Sequence, residues 1–230
     1  DLNVGMHRTG IAPGKEVIDL YQLCDQLQGI TPVGLHAYDG HIRDVDFTLR
    51  TAHADEAFST VAILQKDLTI RGFNKPVIIM GGSPTFSIHC KREGIECSPG
   101  TFIYWDKGYS DLCPEQAFRP AALVITRIIS LPTADRITTD LGHKSIAAEN
   151  ELQRRVYFLN SPTLTPISQS EEHLVLQAGI SHGYQPGDVL YGLPLHICPT
   201  VALYERAITI DNGLVRGEWM TIARDRKITY

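Results

Sequence analysis

Four short stretches hold the residue types from which a binding site is built. In "PLHICPT", His196 and Cys198 stand two apart. In an extended strand, residues i and i+2 share a face, so this imidazole and thiol would point to one place. The pair is borderline-soft and suits Zn²⁺, and two protein bonds leave positions open for water or substrate. The competing reading is two half-buried residues of an ordinary sheet. "IIMGGSPTF" places Gly81, Gly82 and Ser83 directly after an apolar strand, and "SPGTFIYWD" offers Gly100 and Thr101. Glycines let backbone N–H groups approach an anion, and the hydroxyls add donors, so two such turns could grip one phosphate; a plain βα turn is the alternative. Tyr38 follows the apolar stretch of "GLHAYDGH". It would either stack on a flat ring or cap a core with its hydroxyl in water. His36 and His41 lie in the same stretch and read as structural. Arg8 ends "VGMHR", placed to hold a carboxylate or ring oxygen, or to make a surface ion pair.

These groups need strands and turns to position them. After Pro13, Val17, Leu20, Tyr21 and Cys24 recur at helical spacing. Residues 44–71 read as a long amphipathic helix. "LNVGM", "ITPVGLHAY", "PVIIM" and "GTFIYWD" read as strands. Strands alternating with helices mean parallel pairing, in part of a (β/α)8 barrel or a doubly wound sheet. From about Arg119 strands dominate, punctuated by Gly, Pro and Asn-Gly, as in a mostly antiparallel β domain. The expected domains are residues 1–115 and 116–230.

The chain of 230 residues is 43% hydrophobic and 20% charged, the composition of a globular protein. A net charge of -5 without a basic stretch argues against nucleic acid. No apolar run reaches the roughly 18 residues that span a bilayer. Five cysteines, an odd number without a CxxC, fit a reducing cytoplasm better than a disulfide scaffold.

In order, "DLNVGMHRTG", "GLHAYDGH", "GGSPTF", "SPGTFIYWD", "TDLGHKSIAAE", "PLHICPT" and "GEWMTIARDR" resemble the D-threonine aldolase and D-serine dehydratase family, which is related to alanine racemase. The resemblance covers nearly the whole chain. It implies the C-terminal portion of a (β/α)8 barrel binding pyridoxal 5'-phosphate, followed by the β domain, in homodimers. Tyr38 matches the ring-stacking residue, Arg8 an arginine of the cofactor pocket, and Gly81, Gly82, Ser83, Gly100 and Thr101 the phosphate cradle. His196 and Cys198 match metal ligands. His-x-Cys accompanies zinc in the dehydratases, whereas His-x-Asp with Mn²⁺ or Mg²⁺ is commoner in aldolases. The implied activity is a pyridoxal-phosphate- and metal-dependent lyase acting on a D-β-hydroxy amino acid. D-serine or D-threo-hydroxy-amino-acid dehydration comes first and D-threonine aldol cleavage second. A racemase or a non-catalytic cofactor-binding fragment is a further alternative. Two departures stand out. Ser98 occupies the place of the arginine that partners the pyridine nitrogen in alanine racemases. None of the lysines, Lys15, Lys66, Lys91 and Lys144 among them, matches the Schiff-base lysine, which is expected upstream of Asp1 in a missing N-terminal half of the barrel.

Overall fold

The computed structural model describes residues 1–224. They form two compact units. The first comprises Asp1–Phe102 and Asp111–Ala117; the second comprises Ile103–Ser110 and the chain from Phe118 onward.

In the first unit α1 (Lys15–Gln26), β1 (Gly34–Ala37), α2 (Phe47–Ile70), β2 (Val77–Met80), α3 (Phe86–His89) and β3 (Ile95–Cys97) follow one another. The strands form a parallel sheet in the order β1-β2-β3. The expected N-terminal strand is reduced to Leu2, which bridges in parallel to Ala37 and Ile11. α2 begins where the Asp46 carboxylate accepts the Leu49 N–H at 2.8 Å, a side-chain N-cap. Its buried positions are Arg50, Ala54, Ala57, Val61, Leu64 and Leu68, the alternating three- and four-residue steps of one helical face. That face packs on Leu35, Ala37, Ile78 and Met80, and α1 adds Val17, Ile18 and Tyr21. The parallel α/β organisation agrees with a barrel portion. "GTFIYWD", however, is no strand. Thr101–Ile103 form a 3₁₀ turn, Trp105 takes φ 54°, and Asp106 accepts the Tyr109 N–H at 2.8 Å to start α4 (Lys107–Leu112). A buried cap acceptor and a left-handed residue override strand-like alternation here.

In the second unit β4 (Val124–Thr133), β5 (Arg136–Thr139), β6 (Val156–Phe158), β7 (Thr165–Gln169), β8 (Leu174–Gln177) and β9 (Val189–Pro194) make one antiparallel sheet in the order β6-β9-β4-β5-β8-β7. Val124, Ile128, Ile137, Phe158, Leu174, Leu176 and Leu190 form its core. β7 contains Pro166 and lies at the sheet edge, where a missing N–H costs no ladder bond. α5 (Ile197–Val201) follows β9, and β10 (Arg206–Asp211) and β11 (Leu214–Met220) form a separate hairpin. Its turn residues Asn212 and Gly213 both have positive φ, as a type I′ turn requires.

Candidate functional site

The first unit gathers its candidate residues at the C-terminal ends of β1 and β2. Tyr38 directly follows β1, half-buried, and the Arg8 guanidinium carbon lies 5.0 Å from its ring centroid, within cation–π range. Two glycines leave room for the ring. A Cβ on Gly40 would lie 2.2 Å from the Tyr38 hydroxyl, and one on Gly82 would lie 2.7 Å from Tyr38 Cε2.

The two glycine turns are tied to each other. Ser98 Oγ donates to the Gly81 carbonyl at 3.0 Å, and the Thr101 N–H reaches Ser83 Oγ at 3.4 Å. Gln116 Nε2 donates to the Ser83 carbonyl at 2.7 Å and fixes the turn from the other side. Gly81 has φ 91°, a conformation costly for any residue with a Cβ. A Cβ on Gly100 would meet nothing within 4 Å, so open space adjoins the second turn. Buried hydroxyls, glycine backbone and adjoining space are the elements of a phosphate cradle, and they fit the group that the resemblance implies.

The cluster also contains a carboxylate that residue spacing does not single out. Asp39 is fully buried and accepts from Gly82 N–H at 3.1 Å, Thr85 Oγ at 2.7 Å and His89 Nε2 at 2.8 Å. Asp39-Gly40 looks like simple turn chemistry, which hides the carboxylate. The two histidines of this stretch have local contacts. His36 Nδ1 pairs with Asp1 at 3.0 Å, and the His41 ring packs against Gly5.

In the second unit His196 and Cys198 are not on a strand. β9 ends at Pro194, His196 is the extended cap residue of α5, and Cys198 lies in the first helical turn. Pro199 permits this, because the first-turn N–H groups of a helix have no internal acceptor anyway. The two side chains still converge. Their hydrogen bond is the main cause raising the His196 pKa above its ordinary value; the Glu149 carboxylate adds to the rise and burial opposes it. Glu149 Oε1 sits 2.5 Å from His196 Nδ1, which leaves Nε2 as the ring nitrogen that a metal ion would use. Thr200 Oγ donates to the His196 carbonyl at 2.8 Å and accepts the Ala147 N–H at 3.1 Å. Thus "TDLGHKSIAAE" and "PLHICPT" meet. Asp106 Oδ2 accepts the Ile197 N–H at 3.0 Å, between the two candidate ligands. Among the described residues no group of three or more His, Cys, Asp or Glu side chains is arranged to hold a metal ion. The imidazole and thiol are donors fit for a zinc-class ion at two positions.

Lys15, Lys66, Lys91 and Lys144 are not placed like nucleophiles. Lys144 binds Glu171 at 2.7 Å and Glu172 at 3.2 Å, and these bonds raise its pKa, the reverse of what a nucleophilic amine needs. Lys15 pairs with Asp19, and Lys91 lies 5.6 Å over the Phe47 ring. Lys66 sits within α2. Asp225 and Arg226 of "GEWMTIARDR" lie outside the described residues.

Comparison with known proteins follows the same division. Residues 1–108 match the family described as "Alanine racemase, N-terminal domain", and residues 121–210 match "Putative serine dehydratase domain". The chain is 26% identical to a D-threonine aldolase of Arthrobacter sp over 97% of its length and 60% of the relative's. It is similar to the crystal structure of D-threonine aldolase from Filomicrobium marinum, with a TM-score of 0.88, 25% identity, and coverage of 96% of this chain and 61% of that one. D-threo-3-hydroxyaspartate dehydratase from Delftia sp. HT23 shares the fold, with a TM-score of 0.77, 18% identity, and coverage of 94% and 63%. The chain therefore spans about three fifths of the length of the curated relatives it matches. Two family matches in succession and one shared fold along nearly the whole chain thus support its resemblance to the D-threonine aldolases, serine dehydratases and alanine racemases.

Proposed function

We propose that this chain supplies the phosphate cradle, the ring-facing tyrosine and the metal-ligand pair of a pyridoxal-phosphate- and divalent-metal-dependent lyase acting on D-β-hydroxy amino acids. The observation that carries this reading is the clustering of Arg8, Tyr38 and the two linked glycine turns at the ends of β1 and β2. Similarity to D-threonine aldolase and to 3-hydroxy-D-aspartate aldolase of Paracoccus denitrificans supports carbon–carbon cleavage as the first activity to assay. Cys198, a thiol where a carboxylate would suit Mn²⁺ or Mg²⁺, supports dehydration as the second.

Ser83 Oγ and the backbone at Gly100 and Thr101 would hold the phosphate, and Tyr38 would face the ring. Arg8 would hold a ring oxygen or the substrate carboxylate, whose planar geometry a guanidinium matches. Ser98 carries no charge, so it would leave the ring nitrogen without the cation that an arginine supplies. His196 and Cys198 would bind the ion, with Glu149 fixing the imidazole orientation. When bound, pyridoxal phosphate draws charge from the substrate Cα and the divalent ion polarises the β-hydroxyl.

The test uses the full-length protein with pyridoxal phosphate and either Zn²⁺ or Mn²⁺. Glycine and acetaldehyde from D-threonine support aldol cleavage; pyruvate from D-serine supports dehydration. If neither substrate is consumed with either metal, the lyase assignment is wrong.

A further inference from the structure

We propose that Asp39 is a positioning residue for the phosphate cradle, setting the Gly81–Ser83 turn from behind through Gly82 N–H, Thr85 and His89. The proposal rests on the pyridoxal-phosphate reading of that site.

A carboxylate with no exposure is expensive to bury unless its lone pairs are engaged, and a well-packed apolar residue would close a turn at lower cost. Asp39 is engaged by three donors from two segments: Gly82 N–H, Thr85 Oγ and His89 Nε2. It thereby joins the end of β1 to the turn after β2 and to α3. The same partners shape the turn sterically. The Cβ position of Gly81 is flanked by His89 Cδ2 at 3.0 Å and Thr85 Oγ at 3.3 Å. Gly82, its N–H directed to Asp39, presses against the Tyr38 ring. With both glycines fixed, Ser83 is delivered to the Thr101 N–H at 3.4 Å. Asp39 acts on the cradle indirectly, through the Gly82 backbone and the Thr85 and His89 side chains.

The network extends outward with a defined hydrogen-bond direction. His89 Nδ1 accepts from Arg92 Nε at 3.2 Å, so its proton lies on Nε2, facing Asp39. Arg92 in turn pairs with Asp55 of α2 and lies 4.2 Å over the Phe58 ring. An amide at position 39 cannot satisfy this chain. Its NH₂ would confront the His89 N–H, and reversing the His89 tautomer would confront Arg92 instead.

The experiment compares the full-length parent with Asp39→Asn and His89→Gln by equilibrium absorbance titration. Two probes are used, pyridoxal phosphate and pyridoxal, which lacks the phosphate; inorganic phosphate competition is a third readout. In Asp39→Asn the Kd for pyridoxal phosphate should rise roughly tenfold, the scale of one charge-assisted hydrogen bond. The Kd for pyridoxal should stay within about twofold, and phosphate should compete more weakly. If Asp39→Asn does not fold, His89→Gln, which keeps the Gly82 and Thr85 bonds, should show a smaller loss with the same phosphate selectivity. Equal losses for both probes, or no loss in a folded variant, overturn the proposal. A parent that binds neither probe refutes the cofactor reading, and this assignment with it.

Discussion

Replacing Gly40 by alanine should displace the Tyr38 ring with little other change. Gly40 is not among the residues at positive φ, so its backbone accepts a Cβ. The new methyl would stand 2.2 Å from the Tyr38 hydroxyl, 2.3 Å from Cζ and 2.5 Å from Cε1. Carbon atoms in ordinary contact stay about 3.5–4.0 Å apart. The ring must therefore retreat by more than ~1 Å, and because it is half-buried it has somewhere to go. Overpacking costs about 1–3 kcal/mol when nothing yields; ring displacement should keep the folding penalty near the lower end. A lost aromatic stack is worth about 0.5–1.5 kcal/mol, which corresponds to a two- to twelvefold weaker Kd for pyridoxal phosphate. Absorbance titration of Gly40→Ala, Tyr38→Ala and the double variant measures this. In the Tyr38→Ala background the added methyl should cost nothing further. If Gly40→Ala weakens binding equally with and without the tyrosine, the steric argument is refuted.

Arg50→Met should destabilise the protein by about 3–5 kcal/mol in denaturant unfolding, because the fully buried guanidinium bonds Glu115 and the Asp44 and Leu112 carbonyls, which would be left without it. Asp106→Ala removes the acceptor for both Tyr109 N–H and Ile197 N–H, so it should lower Tm and weaken zinc uptake roughly tenfold in a competition assay with a colorimetric chelator. Cys113 is fully buried, and burial is the main cause pushing its thiol up to about 11 from 9.0. The folded state thus keeps this proton while the unfolded chain releases it, so the contribution is intact below pH 9 and lost as pH rises towards 11. The stability difference between parent and Cys113→Ala should be flat below pH 9 and shift against the parent above it; a flat difference up to pH 11 would contradict the burial argument.

The sequence made long-period features easy to read. α2 was visible because Ala54, Ala57, Val61, Leu64 and Leu68 repeat over many turns. β3, three residues long, and β7, interrupted by Pro166, were missed because neither gives a period long enough to stand out. "GTFIYWD" misled because apolar alternation says nothing of the Trp105 dihedral or the Asp106 cap. At the site, residue type and order pointed to Tyr38, Arg8 and both turns, since glycine and hydroxyl chemistry is local. Asp39, Asp106 and Glu149 were invisible for the opposite reason: the partner that ties each to its site lies 43 to 91 residues away. Strand geometry predicts that His196 and Cys198 share a face, whereas the two side chains meet at a helix start.

The backbone leaves the first unit after Phe102, re-enters it at Asp111 and departs again after Ala117. The short returning segment is riveted in place by Arg50 gripping Glu115, and by Gln116 reaching Ser83. A protease nick between Phe102 and Ile103 would therefore leave two fragments that still co-migrate under native conditions, because the downstream piece keeps seven residues, 111–117, embedded in the upstream one. The chain is stitched rather than merely linked, and severing one thread does not release either part.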